Sequence, residues 1–478
     1  MRKWQNLAPP DDPGSWYDVD GMWPTNRGTY ETADFIGAGT AITATGAGEI
    51  AHAWCGRGTT ANNELLIDNG GKIWKYTPED PIDPSLTDVT GTAVVGHCYQ
   101  FAQFGNVTIG VMGSNETADG VALGGQATVK ATSPGAAFSA LAGAPKGQSI
   151  CVQANAVLIF NTDTANDGWA TSDVGDYTNW ATGEAASGRI YMPAGPIRAG
   201  VSFGTDVFAF KEYSIHRMRY VGGVVKWIVE KVWDGVGCAV RNGAIAGSTG
   251  ILFQGKSRTD TGSPTTPYYW FDGVNPPRLV NPFTEVGVGP MIYYPQKNIF
   301  SVWESNAVYW YAPESGMWGR SSSPMTSPPT TTAPVLGEYS GRASNDRGLT
   351  TACYGKSAAN TIKRFAGSGT TAAVYLETTK IGEPDKKLQL SRCIPLLRRR
   401  VDLGTDSVTA TLTLFRERED TTAQTTRAGI AESTDRKRFD FRGGTSADNF
   451  ARIKVIWTAL DVEVDDFLID GNPVRGAN

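Results

Sequence analysis

The chain has 478 residues, enough for one large repeat fold with an accessory domain. Its 56 Gly, 26 Pro, 14 Trp and 17 Tyr, with only 19% charged residues, describe a turn-rich aromatic β protein rather than a helical or disordered one. A net charge of −5 argues against a sequence-scanning DNA binder held by phosphate neutralisation.

The N-terminal run Met1 to Asp12 lacks an apolar core of the kind signal peptides carry, and no segment approaches the ~20 apolar residues that span a bilayer. The product is therefore expected to be made and folded in a cytoplasm, without a membrane span. Residues 1–35 are rich in Pro, Gly and Asp, and their irregularly spaced Trp4, Trp16 and Trp23 suggest an arm that docks through its aromatics. From 36 to 375, short β-branched or aromatic runs pair about polar turns, as at 63–76, 207–218, 250–253 and 298–311. They recur at roughly 40 to 60 residues, near the length of a four-stranded propeller blade, which predicts about six to eight blades. The Pro/Thr-rich segment 321–334 reads as an exposed loop or linker.

After Leu376 the composition changes. The last 103 residues carry 17 basic and 17 acidic side chains, about twice the charged fraction of the residues before them, and mark a second module over 376–478. Its runs 407–415 and 451–457 alternate with period two, so it too is built of strands. The predicted class is all-β: a β-propeller-like subunit with an additional C-terminal β module. The basic runs Arg398, Arg399, Arg400 and Arg436, Lys437, Arg438 lie among Asp402, Asp435 and Asp440, in a module of balanced charge. They fit a charge-paired contact between subunits better than a nucleic-acid surface, and Arg398, Arg399, Arg400, Arg436 and Arg438 are the candidate interface residues.

Patterns that invite enzymatic readings fail on context. Gly250 to Ser257 matches GxxxxGKS, but its interior Ile-Leu-Phe-Gln is strand-like, and the following Arg258 to Pro264 cannot open the helix that a phosphate loop needs. Asn161 to Gly168 mimics a calcium loop, yet has Ala165 at a ligand position and no Glu at its twelfth, so a solvated turn is expected. The acidic residues Asp461, Glu463, Asp465 and Asp466 alternate with Val462 and Val464, as on the wet face of a strand. His52, His97 and His216 are scattered in apolar contexts, with no HExxH and no GxSxG, and are expected as satisfied core or edge histidines. The six cysteines Cys55, Cys98, Cys151, Cys238, Cys353 and Cys393 show no CxxC and read as reduced core residues. No catalytic residue, cofactor or metal site is assigned.

The stretch Trp169 to Tyr220 organises the rest. Its turn Thr171 to Asp176 resembles the Asp-box of sialidase propellers, although the aromatic Trp180 sits two positions too far along. Trp180 is expected to be buried against the strand Tyr213 to Met218. The whole pattern, a polar SDVGDYTNW turn, a Gly195-Pro196 bend, VFAFKEYSIHRMRYV, then Lys231 to Gly237, resembles the tail nozzle (tail tubular) proteins of short-tailed bacteriophages. The likeness extends from Trp16, through Tyr268 to Gly273, to Gly471 to Gly476, and so covers most of the chain.

That resemblance implies a non-enzymatic structural protein of the virion tail. Propeller-like subunits would form a homo-oligomeric, hexameric ring that extends the DNA ejection channel. Implied partners are tail adaptor and portal-side proteins, tail fibres or spikes, and genomic DNA passing without sequence-specific contact. DNA must slide without a phosphate-neutralising hold, so a neutral to acidic lumen is expected, formed by loops of the first module, where the acidic surplus lies. The alternative is a propeller-type tail protein that binds or cleaves host-surface glycans. An intracellular propeller scaffold for peptides is a third possibility.

Overall fold

The computed structural model describes residues 16–20, 22–25, 30–32, 42–43, 50–56, 64–69, 72–77, 85–92, 100–113, 117–118, 121–122, 126–133, 135–258, 267–280, 291–294, 297–303, 308–321, 338–341, 350–356, 361–364, 374–378, 386–399, 409–415, 425–428, 436–438, 441–442, 449–450, 452–458 and 462–475. The chain divides into two compact units, one of residues 38–294 with 327–365, the other of residues 1–37, 295–326 and 366–478.

The first unit is a β-propeller arrangement. Among its described residues, six small antiparallel sheets of four or five strands follow one another along the chain. One of these blades comprises Ser149–Gln153, Ala156–Thr162, Ala165–Thr171 and Ala186–Arg189, and the next comprises Ile197–Phe203, Asp206–Lys211, Ser214–Gly222 and Lys226–Asp234. The strand Ile42–Thr43 pairs with Thr361–Arg364, so the earliest strand of the unit completes the sheet made by its last three.

A blade inside such a stack buries both faces, which is why its inner strands are continuous apolar runs rather than alternating ones. Asp206–Lys211 is buried at every position. Alternation then sorts residues between neighbours: Val207 and Ala209 pack with Leu158, Phe160 and Trp169 of the preceding blade, while Phe208 and Phe210 pack with Phe253, Tyr269 and Phe271 of the following one. Glycine appears where backbone must pass close. A methyl group on Gly237 would lie 2.1 Å from the Lys211 carbonyl oxygen and 2.7 Å from the Ser214 nitrogen.

In the second unit, Trp16–Asp20 pairs with Val374–Thr378, which continues through Arg452–Thr458 and Thr409–Phe415 to Thr425–Ala428. A second sheet runs Met22–Pro24, Tyr30–Thr32, Val462–Arg475, Lys386–Arg399, Arg436–Arg438. The Trp16 and Trp23 segments are thus strands of these sheets. Trp4 lies outside the described residues. Tyr30 is buried and donates its hydroxyl to the Trp318 carbonyl at 2.6 Å.

The Trp180 expectation is corrected. Trp180 is only half-buried, and it packs with Tyr177 against Ile109, Ile150 and Val157, on the side of its blade away from Tyr213 to Met218. Its indole N–H donates to the Tyr177 carbonyl at 2.9 Å. The turn that carries it folds back because Asp173 accepts backbone hydrogen bonds from Val174 (2.9 Å) and Glu184 (2.7 Å) and a side-chain bond from Asn179 (3.1 Å).

Candidate functional site

Charged chemistry concentrates at one end of these two blades, around the turn that joins Asp206–Lys211 to Ser214–Gly222. Lys211 ends a strand whose Val207 and Ala209 face the preceding blade, and it follows their parity. Its side chain is therefore carried inward and is fully buried. The ammonium donates to the Ile190 carbonyl at 2.5 Å and to the Pro193 carbonyl, so it sits under the loop that enters Ile197. Burial lowers its pKa; Asp167 opposes that shift, and Arg189 adds to it.

Asp167 is also buried and accepts from Arg189 Nε at 2.6 Å, while its backbone carbonyl accepts from the Ile190 N–H at 2.9 Å. The calcium-like segment is thus not wholly a solvated turn. Thr164 and Asn166 are exposed, but Asn161 is buried and donates to Gln148 Oε1 (3.2 Å) and the Ile197 carbonyl (3.1 Å). Among the described residues no cluster of His, Cys, Asp and Glu is arranged to hold a metal.

Ser214 and His216 share the Lys211 face. Ser214 Oγ and His216 Nε2 lie 2.9 Å apart, the separation of a nucleophile and its base. Yet Ser214 is 0% and His216 3% exposed, so the hydroxyl is closed off from solvent. The pair satisfies its own polar atoms inside the protein, as expected for a core histidine. Burial, then the charges of Lys211 and Lys231, push the His216 pKa down to about 4 from 6.5, with Asp234 opposing.

A depressed histidine pKa favours the neutral folded state, so nothing is lost above about pH 6.5, and stability falls progressively from there to about pH 4, where the loss is complete. The full loss is about 3 kcal/mol. Denaturation midpoints at pH 7.5 and 4.5 should show His216→Gln losing less stability on acidification than the parent. An equal acid loss in both proteins would refute this origin.

At the outer side of the same turn, Tyr213 is flanked by Lys256 Nζ at 5.4 Å and Arg258 Cζ at 5.9 Å from the ring centre. Lys256 pairs with Glu212, and Arg258 Nη2 approaches Asp234 Oδ1 at 3.4 Å. Burial raises the Glu212 pKa, but the Lys256 hydrogen bond and the charges of Lys256 and Arg198 outweigh it and hold the carboxyl below its ordinary value. Lys256 is the lysine of the GxxxxGKS match. It lies on the strand Ile251–Ser257, bound to a carboxylate.

Cys151 and Cys238 are buried free thiols whose pKa values burial pushes up to about 12. The side chains of Cys55, Cys98, Cys353, Cys393, His52 and His97 lie outside the described residues.

Of the candidate interface arginines, Arg398 and Arg399 fall on the strand Lys386–Arg399, and Arg436 and Arg438 on Arg436–Arg438. The two basic runs are adjacent, with Arg398 opposite Arg436 and, on its other side, opposite Glu463. Arg400 lies outside the described residues.

The sequence reading missed Lys211 and Asp167, which it placed in turns. The parity of Lys211 with Val207 and Ala209 was the available signal; for Asp167 there was none, because its burial depends on Arg189 and Lys211 from other strands.

No protein-family model and no curated protein matches the chain. Solved structures resembling it include YCF48 bound to D1 peptide, at 8% identity and a TM-score of 0.43, covering 70% of this chain and 98% of that one. The Pan2 WD40 domain of Neurospora crassa is 9% identical with a TM-score of 0.43, covering 72% of this chain and 95% of that one. AztD of Citrobacter koseri is 8% identical with a TM-score of 0.40, covering 75% and 90% respectively. At these identities and TM-scores the likeness adds nothing to the sheet order itself, by which the chain is an all-β protein of β-propeller arrangement.

Proposed function

We propose that the chain is a structural subunit of a virion tail, a nozzle protein whose copies form a ring that extends the DNA channel of a short-tailed phage. The observation that carries this reading is the stretch Trp169 to Tyr220, whose sequence resembles the nozzle proteins. It supplies a self-tied Asp173 turn and the buried polar residues Lys211, Ser214 and His216, whose polar atoms are engaged inside the fold. Such an arrangement suits a rigid building block, and the reading is accordingly non-enzymatic. Closed rings use heterologous contacts across broad mixed faces, for which exposed aliphatic, aromatic and paired charged side chains are suitable material.

In this reading the lumen is neutral to acidic, and DNA passes without a salt-dependent hold. Arg398, Arg399, Arg400, Arg436 and Arg438 meet carboxylates of a neighbour. Pairs of this kind are worth about 0–1 kcal/mol each when exposed, so they select register while apolar contacts hold the ring.

Electron microscopy of the purified chain tests the proposal. Rings with an open bore are expected, hexameric by the resemblance. A monomer at every concentration overturns the proposal, and a bore lined by those arginines overturns the lumen assignment. Specific retention on a glycan array would instead favour the host-surface reading.

A further inference from the structure

The two blades expose apolar side chains at both ends of their strands. The register defines the ends: Phe203 pairs with Asp206 and Gly222 with Lys226 at one, while Ile197 pairs with Lys211 at the other. At the Lys211 end, Tyr191 is 63% and Met192 76% exposed, and Arg189 lies over the Tyr191 ring at 4.7 Å. At the opposite end, the hairpin tip exposes Val224 fully, with Val221 and Val225 beside it.

Both protrusions are held. Lys211 and Asp167 fix the backbone under Tyr191 and Met192. At the other end Lys226 Nζ donates to the Ala185 carbonyl at 2.7 Å, and the Tyr220 and Trp227 rings pack 5.4 Å apart at the base of the hairpin. A surface loop anchored by a fully buried ammonium carries a desolvation cost that a loose loop would not need, and preorganisation of this kind favours association. Tyr, Met and Arg are also the side chains enriched in the cores of protein contacts.

We infer that these ends are the two halves of one contact, in which the Tyr191–Met192 loop of one copy docks on the Val221–Val225 tip of a second copy of this chain. Opposite ends of the same blades cannot meet within one molecule, so the contact is head-to-tail, the geometry that closes into rings when the rotation permits. Charge agrees with the pairing. Arg189 borders the first patch, while Glu184, in contact with the Tyr220 hydroxyl at the base of the hairpin, and Asp173 of the same turn set two carboxylates against the single Lys226 ammonium at the second. The inference rests on the ring-subunit reading and names the surfaces that would make the ring.

Sedimentation velocity of the full chain over a concentration series, with single cysteine variants for cross-linking, tests it. Val224→Asp and Met192→Asp, both at exposed sites, should each shift self-association to concentrations roughly tenfold higher or more. A short bis-maleimide should cross-link Met192→Cys protein to Val224→Cys protein when the two are mixed, above the background of the parent chain. Neither variant should cross-link to itself. Assembly by both Asp variants at the parent's concentrations, or cross-linking of Val224→Cys to itself, overturns this contact and leaves the ring reading standing. A parent chain that stays monomeric overturns both.

Discussion

Replacing Phe210 by alanine is expected to lower the stability of the propeller unit by about 3–5 kcal/mol, the cost of emptying an aromatic site in a packed core. Phe210 is fully buried, its ring 5.0 Å from that of Phe253, which in turn stacks on Tyr269 at 5.5 Å. The three rings come from two consecutive blades, so the cavity opens in the seam between sheets, where neither can collapse without shifting its own strand register. Urea denaturation followed by tryptophan fluorescence would measure the loss. A change below about 1 kcal/mol would mean that this seam does not hold the blades together.

Lys211→Met should cost about 2–4 kcal/mol, for a different reason. Methionine matches the volume of the stem and removes the expense of burying a cation, but the Ile190 and Pro193 carbonyls lose their donor. The buried Asp167 keeps Arg189 and loses the nearby ammonium. The damage is predicted to be local, with proteolysis at the 190–196 loop rising before global unfolding does. An unchanged unfolding midpoint together with unchanged loop cleavage would show that the ammonium is not what secures the loop.

These two neighbours mark how far the sequence could be read. Phe210 belongs to a run, Val207 to Phe210, whose density of β-branched and aromatic side chains declares a buried strand by itself. The strand at Ile251–Ser257 was legible in the same way, since the interior Ile-Leu-Phe-Gln of the GxxxxGKS match is itself strand-like. Lys211 resisted because a lysine beside a glutamate reads as a turn, and only the carbonyls of a loop some twenty residues earlier make its burial tolerable. Trp180 was misplaced because a turn can fold toward either adjacent blade. The ties that decide it, Asp173 to Glu184 and Tyr177 to the Ile109 and Ile150 seam, leave no periodic trace. Pairings such as Trp16–Asp20 with Val374–Thr378 are equally invisible, being a matter of register between distant segments.

The pairing of Ile42–Thr43 with Thr361–Arg364 carries a consequence for biogenesis. A ribosome releases the first of these strands about three hundred residues before the second exists, and closing so long a loop is entropically slow however stable the product. Until then the nascent unit is an open stack with an unsatisfied edge at each end, the form in which sheets pair with the wrong chain. Truncations that stop short of Thr361 should therefore accumulate as aggregates during expression.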